Sequence, residues 1–299
     1  MMDLTDLPGS STVPSQGAGR HAGIGGNGMR RRHVAAAVVA AVGLVATLGG
    51  GAFAAEKKWT KVRFGVEGAY PPFSQVTPSG ELQGFDIDIA NALCEQMKAE
   101  CQLIQQDFDG LIPALRARKF DAIIASMSIT PERKQQVDFT KKYYHTPAKF
   151  VRKKGSGIEI TAEGLKGKKV GVQRATIHDS FLTDNYGGTV DISRYGTQDE
   201  ANLDLVSGRV DLLLADSVAL DDGFLKTDQG KGYEFVGPAF DDPKWFGEGA
   251  GIAVRKEEAD LTKQLNAAID EIRKNGTYDR IAKKYFDFDV YGAPPATAS

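Results

Sequence analysis

The chain has 299 residues, 41% of them hydrophobic and 25% charged, and its 37 Lys+Arg against 39 Asp+Glu leave a formal net charge of −2. This length accommodates one large or two medium domains with sizeable cores. The near balance of charge argues against a protein built to coat nucleic acid, which needs a broad excess of Lys and Arg.

Residues 1–28 are rich in Gly, Ser and Pro without apolar periodicity, the composition of a disordered segment. A basic stretch follows, Met29-Arg30-Arg31-Arg32-His33, then an apolar run over 34–54 that ends in Ala52-Phe53-Ala54. Basic n-region, apolar h-region and small-residue site together predict a secretory signal peptide, translated from Met29 and cleaved near Ala54. A permanent membrane anchor is disfavoured because Ala and Gly dominate the run, so no stable membrane insertion is expected after cleavage. Removing residues 1–54 takes away Arg20, Arg30, Arg31 and Arg32 with Asp3 and Asp6, leaving 33 basic against 37 acidic residues and a charge of −4. The product is expected to be a soluble exported protein. An oxidising compartment predicts that its two cysteines, Cys94 and Cys101, pair. Two thiols are too few for a closed zinc site and are not spaced as C-x-x-C, so neither a metal nor a redox site is expected.

VRFGVEG (62–68) reads as a short strand ending in glycine. After a Pro/Gly-rich loop, FDIDIANALCEQM sets Ile89, Leu93 and Met97 at four-residue spacing, an amphipathic helix capped near Asp86. CQLIQQ predicts a strand, GLIPALRARK a short helix and FDAIIAS a buried strand. Thr130-Pro131 then reads as an N-cap and N1 pair, starting a helix at about Pro131. The pattern restarts with a strand over 168–173, a helix, a strand (TVDISRY), a helix (ANLDLVSG) and a strand (RVDLLLAD). Alternating strands and helices predict an α/β fold with a mostly parallel sheet. Setting LRARKFDAIIAS (115–126) beneath LVSGRVDLLLAD (205–216) superposes Leu115 on Leu205, Asp121 on Asp211 and Ser126 on Asp216. One βα unit used twice predicts two similar lobes. Open parallel sheets bind ligands beyond the carboxyl ends of their strands, so a cleft is expected between Ser126 and Ser128 on one side and Asp216 on the other. The C-terminal part adds a strand and two helices, with Leu261, Leu265, Ile269 and Ile272 on one face and Asn275-Gly276 ending the first helix. The tail GAPPATAS is expected to fray.

Arg133 falls in the first turn of its helix, where the dipole disfavours a cation by about 0.3–1 kcal/mol. With Ser126 and Ser128 just upstream, an anionic ligand would resolve that conflict, Arg133 gripping a carboxylate with a bidentate fork. Thr176, Ile177 and His178 lie where the next lobe's first helix begins, and free N–H groups there with the Thr176 hydroxyl would complete an anion site. Asp216 ends an apolar strand and needs solvent or a cation such as an ammonium group. Glu67, Tyr70 and Phe108 occupy loops after strands, and an acid beside aromatic rings suggests a clamp on a cationic side chain. Plainer roles stay open: a surface arginine at 133, an N-cap at Thr176, a structural histidine at 178, a solvated acid at Glu67. No nucleophile–base pair is evident, so neither a catalytic residue nor a cofactor is expected.

At these residues the chain resembles the periplasmic amino-acid-binding proteins of ABC importers (family 3 solute-binding proteins), and especially the lysine/arginine/ornithine and histidine binders. The resemblance spans about residues 60–292 and is carried by EGAYPPF, GFDIDIANALC, DFDGLIPAL, DAIIASMSITPER, LKGKKVGVQRAT, GRVDLLLAD, GPAFDDPKWFGEGAGIAVRK and NGTYDRIAKKYFDFDVYG. It implies a type II periplasmic binding protein: two α/β lobes, 56–145 plus 250–299 and 149–240, joined by a two-crossover hinge with the ligand between them. It also implies the Cys94–Cys101 disulfide, a monomer, a basic L-amino acid as ligand and an inner-membrane ABC permease as partner. The family's carboxylate grip falls on Arg133, Ser128, Thr176 and the Ile177 backbone, and its ammonium site on Ser126, Ser128 and Asp216. The side-chain slot falls on Glu67, Tyr70, Phe108 and the Ala125 backbone, with His178 near its end. Related lysine/arginine/ornithine binders carry Asp, Ser and Gln where this chain has Glu67, Ala125 and His178. Three alternatives stand beside this expectation: an enzyme of the cyclohexadienyl or arogenate dehydratase type with Glu67 or His178 as general acid, an opine binder, and a sensory module acting through a receptor.

Overall fold

The computed structural model describes residues 58–292, so the expected signal peptide and the end of the tail lie outside the described residues. In chain order, β1 (Lys61–Val66) leads to a small antiparallel sheet of β2 (Ala69–Tyr70), β3 (Ser74–Val76) and β4 (Leu82–Gln83). Then come α1 (Phe85–Met97), β5 (Glu100–Gln105), α2 (Leu111–Arg116), β6 (Ala122–Ile123), α3 (Pro131–Lys134) and β7 (Asp138–Tyr144). The chain continues through β8 (Ala148–Lys153), β9 (Lys169–Gln173), α4 (Ile177–Tyr186), β10 (Asp191–Tyr195), α5 (Gln198–Val206), β11 (Leu212–Asp216) and α6 (Ser217–Leu220). It closes with β12 (Tyr233–Phe240), α7 (Pro243–Phe246), β13 (Ala250–Val254), α8 (Ala259–Lys274) and α9 (Thr277–Ala282).

Two five-stranded sheets result, ordered β5-β1-β6-β13-β7 and β10-β9-β11-β8-β12. Three strands of each run parallel, as the alternating pattern predicts. The other two join by antiparallel pairing, β13 and β7 in one sheet, β8 and β12 in the other, so that only β13 and β8 run against the remaining four strands of their sheets. These are the strands through which the chain passes between the sheets, by way of residues 145–147 and 241–249. The periodicity does not mark β7, β8 or β12. One sheet draws on residues within 61–144 and 250–254, the other on residues within 148–240. We propose these sheets, each with its helices, as the cores of the two expected lobes.

The sequence repeat has a physical counterpart. Asp121 Oδ2 accepts the Arg63 N–H at 3.0 Å within β1, and Asp211 Oδ2 accepts the Lys169 N–H at 2.9 Å at the start of β9. In both sheets the aspartate's own N–H returns a bond to the same residue's carbonyl at 2.8 Å. One carboxylate per sheet thus pins the third strand to the first.

Helix α8 docks through Leu261, Leu265, Ile269 and Ile272, all buried. Burial of such side chains contributes about 1.5–3 kcal/mol each. The exposed Lys141–Asp270 pair at 2.6 Å adds at most about 1 kcal/mol, so apolar packing holds the helix. Cys94, near the end of α1, is bonded to Cys101 in β5, with Cα atoms 5.7 Å apart. Among the described residues no helix is long and apolar enough to cross a membrane.

Two local expectations need correction. Helix α1 starts from Gly84, and Asp86 does not cap it but turns its buried carboxyl inward. The FDAIIAS strand is only two residues long, so Ala125 and Ser126 lie in the loop beyond it.

Candidate functional site

The residues singled out from the sequence converge. Glu67 follows β1, Tyr70 ends β2, Phe108 precedes α2, Ala125, Ser126 and Ser128 follow β6, and Arg133 lies in α3. From the other sheet, Thr176, Ile177 and His178 open α4 and Asp216 ends β11. They line two adjoining cavities that share Tyr70, Ser126, Ser128, Ile177 and His178. Glu67, Phe108, Ala125, Arg133 and Thr176 belong to one, and Asp216 to the other. Contacts across the gap show the two halves closed on each other. Gln173 donates to Glu67 at 2.5 Å, the Asp216 N–H to the Tyr70 hydroxyl at 3.3 Å, and Arg133 Nη2 to the Ala175 carbonyl at 3.1 Å.

Arg133 is placed differently from the expectation. Thr130 does cap α3, accepting the Arg133 N–H at 3.2 Å, but α3 is a single four-residue turn. So short a helix has little dipole, and the expected penalty on a cation largely vanishes. Nη1 bonds the carbonyl of Ser128 at 2.9 Å rather than its hydroxyl, and the guanidinium lies 5.6 Å from the Phe108 ring centroid. Burial lowers its pKa to about 10, which leaves it cationic at neutral pH.

Thr176 is the N-cap of α4, accepting from the Asp179 N–H at 3.2 Å, while its hydroxyl donates to the Gln173 carbonyl at 2.7 Å. The plain role is the one present, and it leaves the expected one open, since the N–H groups of the first helical turn have no acceptor within the helix. His178 is buried beside Phe246, their ring centroids 6.1 Å apart. Burial, then the Arg133 charge, push its pKa down to about 3, so the imidazole is neutral and does not repel a cation.

Three carboxyl groups face this region, each nearly inaccessible. Burial raises Glu67 to about 7, against the bond from Gln173 that favours the ionised form. Burial also raises Asp86 to about 7, although Ser126 Oγ donates to it at 3.1 Å and the Tyr143 hydroxyl at 2.8 Å. Asp216 is raised too, by burial, while it accepts from Thr146 and from the N–H groups of Val218 (2.8 Å) and Ala219 (3.2 Å). The hydrogen-bond partners of all three are neutral. A ligand with more positive than negative charge would let them ionise, and Arg133 supplies the counterpart for one anionic group.

Backbone strain marks both sides of the gap. Ser126 (φ 53°) and Ala175 (φ 61°) are non-glycine residues in the left-handed region, a conformation that costs about 1–3 kcal/mol each. The Ser126 N–H donates to the Tyr143 hydroxyl at 3.1 Å, which together with Asp86 fixes its direction. Several residues in the lining, or directly behind it as Asp86 is behind Ser126, escape the sequence reading. Gln173 ends an apolar strand as Asp216 does, and the same signal could have found it. Asp86 was masked by its place in a helix first turn. Thr146, Phe246, Gly249 and Ala250 sit in the connections between sheets, where no periodicity points to them.

Two α/β halves closed on a buried, charged cavity define a type II periplasmic binding protein. The chain belongs to the bacterial extracellular solute-binding proteins, family 3, matched over residues 62–288. It is 57% identical over 242 residues to the L-arginine-binding protein of Pseudomonas aeruginosa, covering 81% of this chain and 92% of that one. It is 44% identical over 232 residues to the lysine/arginine/ornithine-binding periplasmic protein of Escherichia coli, covering 77% and 89%. Among solved structures, an ancestral arginine-binding protein bound to arginine superposes with a TM-score of 0.71 at 38% identity, over 77% of this chain and all (100%) of that one.

Proposed function

We propose that this protein captures a basic L-amino acid in the periplasm, arginine foremost with lysine, ornithine and histidine as competitors, and delivers it to an inner-membrane ABC permease. The charge pattern of the cavity carries this reading: buried Glu67 and Asp216 in its lining, with Asp86 behind Ser126, against the single guanidinium of Arg133. A free basic amino acid has one anionic and two cationic groups. Its carboxylate would take Arg133 with the Thr176 hydroxyl and the Ile177 and Ser128 groups around it. Its ammonium would lie between Asp216, Ser126 and Ser128. Its side-chain cation would reach Glu67 along Tyr70, Phe108 and the Ala125 backbone, past His178. Desolvated charges interact more strongly in the closed cleft than in water, so each pairing favours closure. The names of the relatives support the ligand class and the periplasmic setting.

A thermal-shift panel on the refolded protein tests it. A ligand at 100 times its Kd adds about 2.7 kcal/mol of stability. Shifts with L-arginine, L-lysine, L-ornithine or L-histidine and none with L-glutamate are expected; a winning L-glutamate or L-glutamine would overturn the assignment of Glu67. One observation favours a second reading: a carboxyl with a pKa near 7, as at Glu67, could serve as a general acid. Turnover of prephenate or arogenate by the pure protein would establish that enzyme; none is expected.

A further inference from the structure

One contact across the cleft involves no group that lines the proposed ligand cavities from both sides. Residues 221–225 form a π-helical turn directly after α6, and a Cβ placed on Gly223 would lie 3.1 Å from Pro71 Cγ and 3.3 Å from the Pro71 carbonyl oxygen. Pro71 follows Tyr70, whose hydroxyl accepts the Asp216 N–H, so this seam runs beside the site without contributing to it. Gly223 lines neither ligand cavity. We infer that Gly223 and Pro71 are positioning residues for closure: the bare backbone at 223 lets the Tyr70-Pro71 loop of one half seat against the other half.

The inference rests on the two-lobe, ligand-closing reading above and adds a determinant outside the ligand's reach. Nothing in the backbone of Gly223 forbids a larger residue, because its φ is not in the left-handed region. Glycine is among the poorest residues for helical backbone, so a replacement should not weaken the second half by itself. Its cost arises only where the halves meet, against a rigid ring and a carbonyl that cannot swing aside. Rotationally free side chains could yield to such an approach, but proline lacks that freedom. The geometry therefore separates closure from folding and from ligand contact, which substitutions within the cavity cannot do.

Two measurements on the full chain decide the matter. In the first, Gly223→Leu is titrated with L-arginine by calorimetry and melted without ligand. Overpacking at the seam should weaken binding about 5- to 150-fold, with no fall in the ligand-free Tm. Unchanged affinity, or lost affinity matched by a lower ligand-free Tm, would overturn the seam. In the second, Pro71→Cys/Gly223→Cys is oxidised with and without L-arginine, and cross-linking is read by mass and non-reducing gel. The pair should link, faster with L-arginine. Failure to link under either condition overturns the seam. Linking that L-arginine leaves unaffected supports the seam and counts instead against the basic-amino-acid reading.

Discussion

Replacing Glu67 with Gln should move ligand-free stability and ligand affinity in opposite directions. Burial holds the Glu67 carboxyl at about 7 against an ordinary value of 4.5. At pH 8 the folded protein therefore carries an ionised carboxylate that its surroundings disfavour. At about 1.36 kcal/mol per pH unit, that penalty is on the order of 3 kcal/mol. Because the folded value lies above the unfolded one, Glu67's contribution to stability is fully present below about pH 4.5 and is lost as pH rises through about 7. Glutamine removes the charge and keeps an oxygen for the bond from Gln173. For a protein of this size each kcal/mol shifts Tm by about 2–4 °C, and opening of the cleft, which rehydrates Glu67, trims the full effect. A rise of several degrees is expected at pH 8 without ligand, with little change at pH 4.5. Affinity for L-arginine should fall, because removing one partner of a buried, hydrogen-bonded charge pair costs about 2–5 kcal/mol. Thermal melts at the two pH values and calorimetric titration with L-arginine at pH 8 provide the assay. A variant that melts lower at pH 8 and binds L-arginine as tightly as the parent would refute the reasoning.

Arg133→Ala should weaken L-arginine binding by roughly 2–5 kcal/mol, while agmatine, which lacks the carboxylate, should bind parent and variant alike in the same calorimeter. L-arginine affinity should decline as pH falls below about 7, with proton release in buffers of different ionisation enthalpy, because the ligand cations draw Glu67 and Asp86 back to their ionised forms. His178→Asn should leave that pH profile in place, since the histidine is already neutral above about pH 3. Cys94→Ser/Cys101→Ser should lower stability by about 2–3 kcal/mol, the loop-closure value for so short a loop, and leave L-arginine affinity unchanged; a denaturant melt and a titration check both.

The sequence was most informative where one period or one polar residue decided the structure. Four-residue spacing placed α1 and α8, and the aligned Asp121 and Asp211 located the carboxylates that pin equivalent strands in the two sheets. Asp216 was legible as an acid ending the apolar LLLAD, although the structure also gives it a plain role, capping α6 through the N–H groups of Val218 and Ala219. The antiparallel-paired strands β7, β8 and β12 were not legible, since their sequences carry ordinary polar faces and their pairing is set by strands distant in the chain. Arg133 was found through an argument that the structure weakens: its helix is one turn, and its fork is held by two carbonyls from opposite halves. Asp86 and Gln173 depend on contacts 40 to 106 residues away, which local pattern cannot reach.

The central claim is that the cavity recognises a side-chain cation through Glu67 in addition to an amino acid's own two charges. Calorimetric titration with L-arginine and L-citrulline at pH 8 tests it most directly, because citrulline has nearly the same shape and a neutral end. Loss of one member of a buried charge pair is worth about 2–5 kcal/mol, so L-citrulline should bind at least about 30-fold more weakly. Equal affinities would contradict the account, since Glu67 would then lie outside the recognition of the ligand.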